Sequence, residues 1–134
     1  MVRKGDYGTY KGKEYHLACE SDPYKIYIFT HDKSKVDETF EQCNRPNERE
    51  CYKKYIELYQ LEDAYQVFTD AIGKEGKRMY IELESVDQYY VFVGEEDKDL
   101  IENYSLTEED RGIYGGWINK EGLELAERRK HISY

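Results

Sequence analysis

The stretch YKKYIELYQLEDAY, residues 52–65, is nearly repeated 62 positions later as YGGWINKEGLELAE, residues 114–127. The matching pairs are Tyr52 with Tyr114, Ile56 with Ile118, Leu61 with Leu123, Glu62 with Glu124 and Ala64 with Ala126, with Tyr55 opposite Trp117. A chain that carries one pattern twice is expected to fold as two related units. The repeat therefore predicts the architecture before any single motif does.

Earlier blocks extend the repeat at an offset of 64 positions. At this offset YGTYKGKEYHLACE, residues 7–20, falls on residues 71–84 of the stretch TDAIGKEGKRMYIELE, residues 69–84. Alternation of period two predicts strands. One strand face is predicted to carry Tyr15, Leu17 and Cys19, and its counterpart Met79, Ile81 and Leu83. The short runs 26–29 and 89–93 are apolar on both faces, which predicts buried central strands.

These patterns predict a mainly β protein made of two tandem small SH3-like β-barrel units packed together, with at most short helical turns. The predicted units are residues 1–66 and 67–134. Because a unit of about 60 residues is only marginally stable alone, we expect the two to pack against each other. Residues 61–72 fit a helix through the spacing of Leu61, Tyr65 and Phe68, or a strand like their counterpart LELAERRKHI; the strand is favoured. Short helical turns are predicted after Ser34 and at residues 107–112.

Composition points to a thin core and a soluble protein. Only 39% of the 134 residues are hydrophobic, mean hydropathy is −0.97, and fifteen residues are tyrosine. Tyrosine suits half-buried strands and contact surfaces, because its hydroxyl needs a partner or water. No run approaches the roughly 18 apolar residues of a membrane span, and no signal segment is visible, so we expect a cytoplasmic location.

The cysteines indicate no redox or zinc motif. Cys19, Cys43 and Cys51 form an odd set without C-x-x-C spacing, which favours reduced, idle thiols. A disulfide between Cys43 and Cys51, or a metal site that adds His31, is a weaker alternative. We expect neither metal nor cofactor.

Negative charge is concentrated in residues 95–110, called here the acidic segment. It holds eight acidic residues and one basic residue, a net charge of −7. Residues 67–134 hold sixteen acidic and nine basic residues, also −7, out of −9 for the chain. The segment is either a solvated loop or a surface that captures a basic partner. The predicted partner contacts are Glu95, Glu96, Asp97, Asp99, Glu102, Glu108, Glu109 and Asp110, with Tyr104 as the apolar anchor among Leu100, Ile101 and Leu106.

Other chemistries fit the sequence less well. A calcium loop starting at Asp97 would place Ile101 where an oxygen ligand is needed and Glu102 where glycine is needed. His16 and Cys19 lie three residues apart in a strand and so face opposite ways. Nucleic-acid binding is disfavoured by the negative charge and by the shortness of the basic clusters 53–54 and 128–130. We therefore predict a binding protein and not an enzyme.

The motifs YKGKEYHL, residues 10–17, and YGGWINKEGLELAERRKHI, residues 114–132, carry a resemblance. The chain resembles the small, acidic, tyrosine-rich immunity proteins of bacterial polymorphic and contact-dependent toxin systems. WINKEGLEL is also similar to the closing strands of SH3-like barrels, without the residues of a polyproline groove. The resemblance implies a cytoplasmic inhibitor that binds and neutralises a toxin domain, often a basic nuclease.

Three hypotheses follow. The first is an immunity-type inhibitor that occludes a basic toxin domain through the acidic segment, without chemistry of its own. The second is a tandem SH3-like adaptor or reader that binds a peptide in a tyrosine-lined seam between the halves. The third, an enzyme, would require a titrating carboxylate in a pocket.

Overall fold

A computed structural model describes residues 2–132, which divide into two compact units. The N-terminal unit contains Gly5–Val67 and residues 129–132, and the C-terminal unit contains residues 2–4 and Phe68–Arg128. The predicted boundaries, 1–66 and 67–134, differ from this division at both chain ends. The reason is pairing between residues distant in sequence: the Val2 N–H donates to Glu84 Oε1 at 2.9 Å, and the Ile132 N–H donates to Ala64 O at 2.9 Å.

In the N-terminal unit an antiparallel meander ends in a strand that returns to its first strand. The strands are β1 (Gly5–Tyr10), β2 (Lys13–Ser21), β3 (Tyr24–Thr30), β4 (Glu41–Gln42), β5 (Tyr52–Ile56) and the first half of β6 (Asp63–Ile72). They pair in the order β4-β5-β3-β2-β1-β6. A 3₁₀ turn at Leu58–Gln60 joins β5 to β6. Another 3₁₀ turn, Lys33–Lys35, begins one residue before Ser34, where a helical turn was predicted.

The C-terminal unit has the same order of events along the chain. Its elements are the second half of β6, a tight turn at Lys74–Gly76, β7 (Arg78–Glu84), β8 (Gln88–Gly94), helix α1 (Lys98–Asn103), β9 (Thr107–Asp110), β10 (Ile113–Asn119) and most of β11 (Glu124–His131). The antiparallel pairing order is β6-β7-β8-β10-β9, and β11 pairs with β6. Thus β10 and β11 occupy in this unit the positions that β5 and β6 occupy in the other. This correspondence explains the sequence repeat between residues 52–65 and 114–127.

The mainly β prediction is confirmed, and residues 61–72 contain a strand as favoured. The SH3-like barrel form of each unit stays a prediction. In each unit the path of paired strands ends at a short edge strand, β4 or β9.

Each unit buries one face of its strands. The N-terminal core contains Tyr10, Tyr15, Leu17, Ile26, Ile28, Ile56 and Ala64, and the C-terminal core contains Ala71, Met79, Ile81, Tyr89, Val91, Val93, Leu100, Leu106 and Ile118. The central position predicted for runs 26–29 and 89–93 is confirmed, since β3 lies between β2 and β5 and β8 lies between β7 and β10, but the predicted burial on both faces is wrong. Alternate residues of these strands, such as Tyr90 and Phe92, are half-buried on the outer face.

A β-bulge moves Leu83 out of the predicted face. In the pairing of β7 with β8, Ile81 faces Val91 but Leu83 faces Tyr90, so Glu82 is an extra residue. An extra residue reverses the alternation beyond it. Leu83 is therefore 55% exposed, while Met79 and Ile81 are buried. Cys19, predicted beside Tyr15 and Leu17, is likewise exposed at the end of its strand.

Candidate functional site

The acidic segment is folded rather than an extended loop. A turn in which the Asp97 N–H donates to Gly94 O leads into α1, and β9 then pairs with β10. The helical turn predicted at residues 107–112 is wrong, because Thr107–Asp110 makes strand hydrogen bonds. The helix of this segment is α1, Lys98–Asn103, with Asp99 in its first turn, where a carboxylate is favoured by the helix dipole.

Apolar residues of the segment hold it to the unit's own core. Leu100 is 1% exposed and Leu106 is buried, while Ile101 and Tyr104 pack against the same cluster. The Tyr104 hydroxyl oxygen lies 3.2 Å from the position that a Cβ on Gly73 would occupy. Tyr104 is thus half-buried in this chain, and its predicted role as a partner's anchor stays a prediction.

The eight carboxylates of the segment differ in exposure and in hydrogen-bond partners. Asp97 is half-buried; Glu95, Glu96, Asp99, Glu102, Glu108, Glu109 and Asp110 are exposed. Asp99 accepts from Lys77 Nζ at 3.1 Å, and Glu108 accepts from the Tyr114 hydroxyl at 3.1 Å. The hydrogen bond to Glu108 raises the pKa of Tyr114 above its ordinary value. These two contacts fix Asp99 and Glu108 against their own unit.

Glu109 and Asp110 instead line a surface cavity of about 580 Å³. Its other lining residues are Tyr80, Phe92, Val93, Gly94 and Ile113. No basic side chain within residues 2–132 forms an ion pair with Glu109 or Asp110. The cavity therefore combines apolar and aromatic walls with two carboxylates that have no cationic partner in the described chain.

A second β-bulge brings these two neighbouring carboxylates to one cavity. Ile113 pairs with Asp110, but Tyr114 pairs with Glu108, so Glu109 is the extra residue of β9. Successive residues of a regular strand point to opposite faces. The bulge changes this direction locally, which is a common use of bulges beside binding sites. It separates Glu109 from Glu108, which bonds Tyr114.

An exposed aromatic face continues from the cavity across β8 and β10. The Tyr90 ring lies 5.6 Å from Phe92 and 5.2 Å from Trp117, both edge to face. Trp117 is 45% exposed and Ile113 42%. Large apolar side chains grouped on a surface are typical of contact sites.

Gly115 keeps the space between this face and Glu109. A Cβ at Gly115 would lie 2.9 Å from Phe92 Cδ1, 2.9 Å from Val91 O and 3.0 Å from Glu109 Oε2. Val91 O is backbone and cannot move aside cheaply. The glycine thus lets the Glu109 carboxylate approach the Phe92 ring.

Sequence reasoning found the carboxylates but missed Tyr80, Phe92, Ile113 and Trp117. The available signal was the alternation in QYYVFV, which places Tyr90 and Phe92 opposite Tyr89, Val91 and Val93. A one-sided core then leaves two rings on the outside. The bulge at Glu109 has no comparable sequence signal.

The N-terminal unit has a separate groove lined by tyrosines. This groove, about 480 Å³ in volume, is lined by Tyr24, Lys25, Ile26, Tyr55, Ile56, Glu57, Leu58 and Gln60. Tyr24 is 62% exposed. The neighbouring outer face carries a row of rings in which Tyr27 lies 5.8 Å from Tyr55 and 6.0 Å from Phe29.

The three cysteines are free thiols. The Cys43 N–H donates to Cys51 O at 2.8 Å, which continues the pairing of β4 with β5. Burial, then the neighbouring Cys43 thiol, raises the pKa of Cys51 to about 11. Among residues 2–132, no group of three or more His, Cys, Asp or Glu side chains is placed to hold a metal ion.

Comparison with known proteins identifies a family for the whole described chain. The family model of uncharacterised conserved protein UCP033725 matches residues 2–134. The chain belongs to this family. No curated protein and no solved structure matches it significantly. In the part of the chain that the structure describes, none of the helices has the length and apolar character needed to cross a membrane.

Proposed function

We propose that this member of the UCP033725 family captures a basic protein and covers its functional surface. The immunity-type inhibitor of a basic, possibly nuclease, toxin domain is the specific form of this proposal, drawn from the sequence resemblance. The observation that carries it is the ordered acidic segment, with Glu109 and Asp110 beside the aromatic face of β8 and β10. The chain contributes surface and charge to the complex, and no chemical step.

Charge and apolar contact would have different tasks. Exposed carboxylates on α1 and β9 raise the rate of encounter with a cationic surface, and salt weakens this effect. Trp117, Phe92 and Ile113 offer the apolar area from which most affinity is gained at interfaces. A carboxylate that becomes fully desolvated against a cation would cost about 2–5 kcal/mol when truncated, whereas a rim carboxylate would mainly change the on-rate.

The proposal is tested by capture from the native cell extract. The wild-type chain and a variant with all eight acids of residues 95–110 changed to Asn or Gln are used as baits, and retained proteins are identified by mass spectrometry. The captured partner is then purified, and its association rate with each bait is measured over a salt series. We expect the wild-type chain to form a 1:1 complex with a basic protein and to associate more slowly as salt is added. The variant should bind weakly, and its association rate should depend little on salt.

Folding of the variant is checked first, by far-ultraviolet circular dichroism and thermal unfolding. Partner activity is assayed with and without the wild-type chain, and inhibition is the expected result. Unchanged affinity of a folded charge-neutralised variant would show that the acidic segment is the wrong surface. A partner that is bound but fully active would overturn the inhibitor form of the proposal.

The alternative function, an adaptor or reader that binds a peptide, is favoured by the tyrosine-lined groove of the N-terminal unit. Tyr24 and Leu58 expose apolar surface at its margin, and Lys53 Nζ lies 5.0 Å from the Tyr55 ring centroid. Under this alternative, neutralising the acidic segment leaves partner binding unchanged, while Tyr24→Ala weakens it.

A further inference from the structure

The cavity at β9 has the composition of a site for one cationic side chain. Tyr80 and Phe92 supply rings, Ile113 supplies an aliphatic wall, and Glu109 and Asp110 supply carboxylates. Its volume of about 580 Å³ is enough to admit one long side chain. An anion would meet two carboxylates there, and a purely apolar group would leave them unpaired.

The arrangement of the carboxylates and rings favours a guanidinium over an ammonium as the bound cation. The bulge turns Glu109 and Asp110 toward the same cavity, and Gly115 allows Glu109 to lie against Phe92. A guanidinium group stacks on aromatic rings and donates two parallel hydrogen bonds to a carboxylate. An ammonium is more strongly hydrated and fits a largely apolar cavity less well.

The chain already places a cation over one of these rings. Lys4 Nζ lies 5.3 Å from the Tyr80 ring centroid and bonds Glu82 at 3.1 Å. Tyr80 thus accepts cation–π contact. Lys4 is engaged with Glu82, which leaves Glu109 and Asp110 to a cation from outside the described chain.

We propose that this cavity receives an arginine side chain of the basic protein partner. The inference rests on the proposed function and adds to it the residue type at the centre of the contact. The guanidinium stacks on Phe92 or Tyr80 and donates to Glu109 and Asp110. The remaining carboxylates of the acidic segment attract the partner without reading a particular side chain.

The test is a titration of the free, ¹⁵N-labelled chain with the blocked tripeptide acetyl-Gly-Arg-Gly-amide, followed by nuclear magnetic resonance. Saturable shifts are expected at the backbone amides of Gly94, Asp110 and Ile113. The same peptide with citrulline, a neutral isostere of arginine, should lose them, and a lysine peptide should bind more weakly than arginine.

Variants of equal charge change distinguish specific binding in the cavity from non-specific electrostatic attraction. Glu109→Gln should weaken arginine binding by about fivefold or more. Glu108→Gln removes the same charge from the adjacent residue, on the Tyr114 side of the strand, and should have a much smaller effect. Asp110→Asn serves as a second cavity variant should Glu109→Gln impair folding. Phe92→Leu should also weaken binding while keeping an apolar wall.

Equal binding of the arginine and citrulline peptides, or equal weakening by Glu108→Gln and Glu109→Gln, would overturn the arginine site. Shifts confined to other residues would do the same. The titration needs no partner protein, so its failure is distinguishable from failure of the proposed function. A partner still captured with steep salt dependence would leave the broader proposal standing without the arginine cavity.

Discussion

At the scale of single residues, Asp70 is the buried charge on which the C-terminal unit depends. Its side chain is 3% exposed, and its carboxylate accepts from Arg128 Nε at 2.6 Å and from Arg78 at 3.4 Å. Arg128 also lies over the Phe68 ring at 5.3 Å. Arg128 also donates from Nη2 to Asp70 Oδ1 at 3.2 Å, so it engages both carboxylate oxygens and satisfies the buried charge.

Replacing Asp70 by Ala should lower the free energy of unfolding by about 1.5–3 kcal/mol, the usual contribution of hydrogen bonds to charged groups, because the arginines left behind are half-exposed and can be solvated. Asp99→Ala is the control, because the Asp99–Lys77 pair is exposed and should contribute about 0–1 kcal/mol. Urea unfolding is followed by fluorescence of Trp117, the chain's single tryptophan, which lies in the same unit. Similar losses of unfolding free energy in Asp70→Ala and Asp99→Ala would contradict the view that Asp70 stabilises the unit more than an exposed ion pair does.

Glu84 couples stability of the same unit to pH. The hydrogen bond from Lys120 Nζ at 2.7 Å, then that from the Val2 N–H, holds the pKa of Glu84 below its ordinary value. A carboxyl with a lowered pKa in the folded state stabilises that state when ionised, and the contribution disappears as pH falls through the folded pKa. The stability difference between wild type and Glu84→Gln should thus be largest near neutral pH and shrink as pH falls through the lowered pKa of Glu84. A difference that grows on acidification would have the wrong sign.

Cys51 should react slowly despite being a free thiol. Its pKa is raised to about 11, chiefly by burial, so little thiolate exists near neutral pH. Iodoacetamide labelling with peptide mapping should show Cys51 modified much later than the exposed Cys19, with a rate that rises toward alkaline pH. Equal labelling of the two near neutral pH would contradict this prediction.

At the scale of elements, alternation and turn residues predicted the long strands, whereas the short strand β9 and the two β-bulges were not visible in the sequence. Residues 61–72 follow the strand prediction because their partners in β1 and β7 complete the ladder. By contrast, Glu82 looks like an ordinary strand residue and Glu109 lies in a predicted helical turn, and their role as extra residues depends on the facing strand. Leu83 was consequently placed inside, and Phe92 beside Glu109 was not foreseen.

Helix α1 was not predicted because the acidic residues around it are typical of a solvent-exposed loop. Only Leu100 of this helix is buried, and its value to the fold is visible once β8 and β10 are in place. Tertiary burial thus decides a short helix that local propensity leaves open.

Leu100→Ala should detach this helix from its core. A cavity left by a fully buried leucine costs about 2–5 kcal/mol of stability, and the loss should appear first in α1. Hydrogen exchange of the amides 101–104 is expected to accelerate more than exchange in β8. Ile101→Ala, which removes a partly buried residue, should have a smaller effect. Uniform acceleration throughout the C-terminal unit would show that α1 is not a separate opening element.

At the scale of the whole molecule, the repeat predicted two related β units, and the charge distribution is the reason for proposing a partner surface in the C-terminal half. The N-terminal unit holds thirteen acidic and eleven basic residues, and the C-terminal unit sixteen and nine. The sequence could not show that residues 2–4 belong to the C-terminal unit and residues 129–132 to the N-terminal unit. This grouping depends on contacts between residues that are distant in sequence. The family match extends over the same whole chain, at residues 2–134.

The central claim is that the position of negative charge, and not its amount, determines binding of a basic partner. Two four-fold variants with equal net charge test it by calorimetric titration with the captured partner. One changes Glu102, Glu108, Glu109 and Asp110 to their amides; the other changes Glu38, Glu41, Glu48 and Glu50, which are exposed in the N-terminal unit. We predict a large loss of affinity in the first variant and near wild-type affinity in the second. Equal losses in the two folded variants would contradict the account.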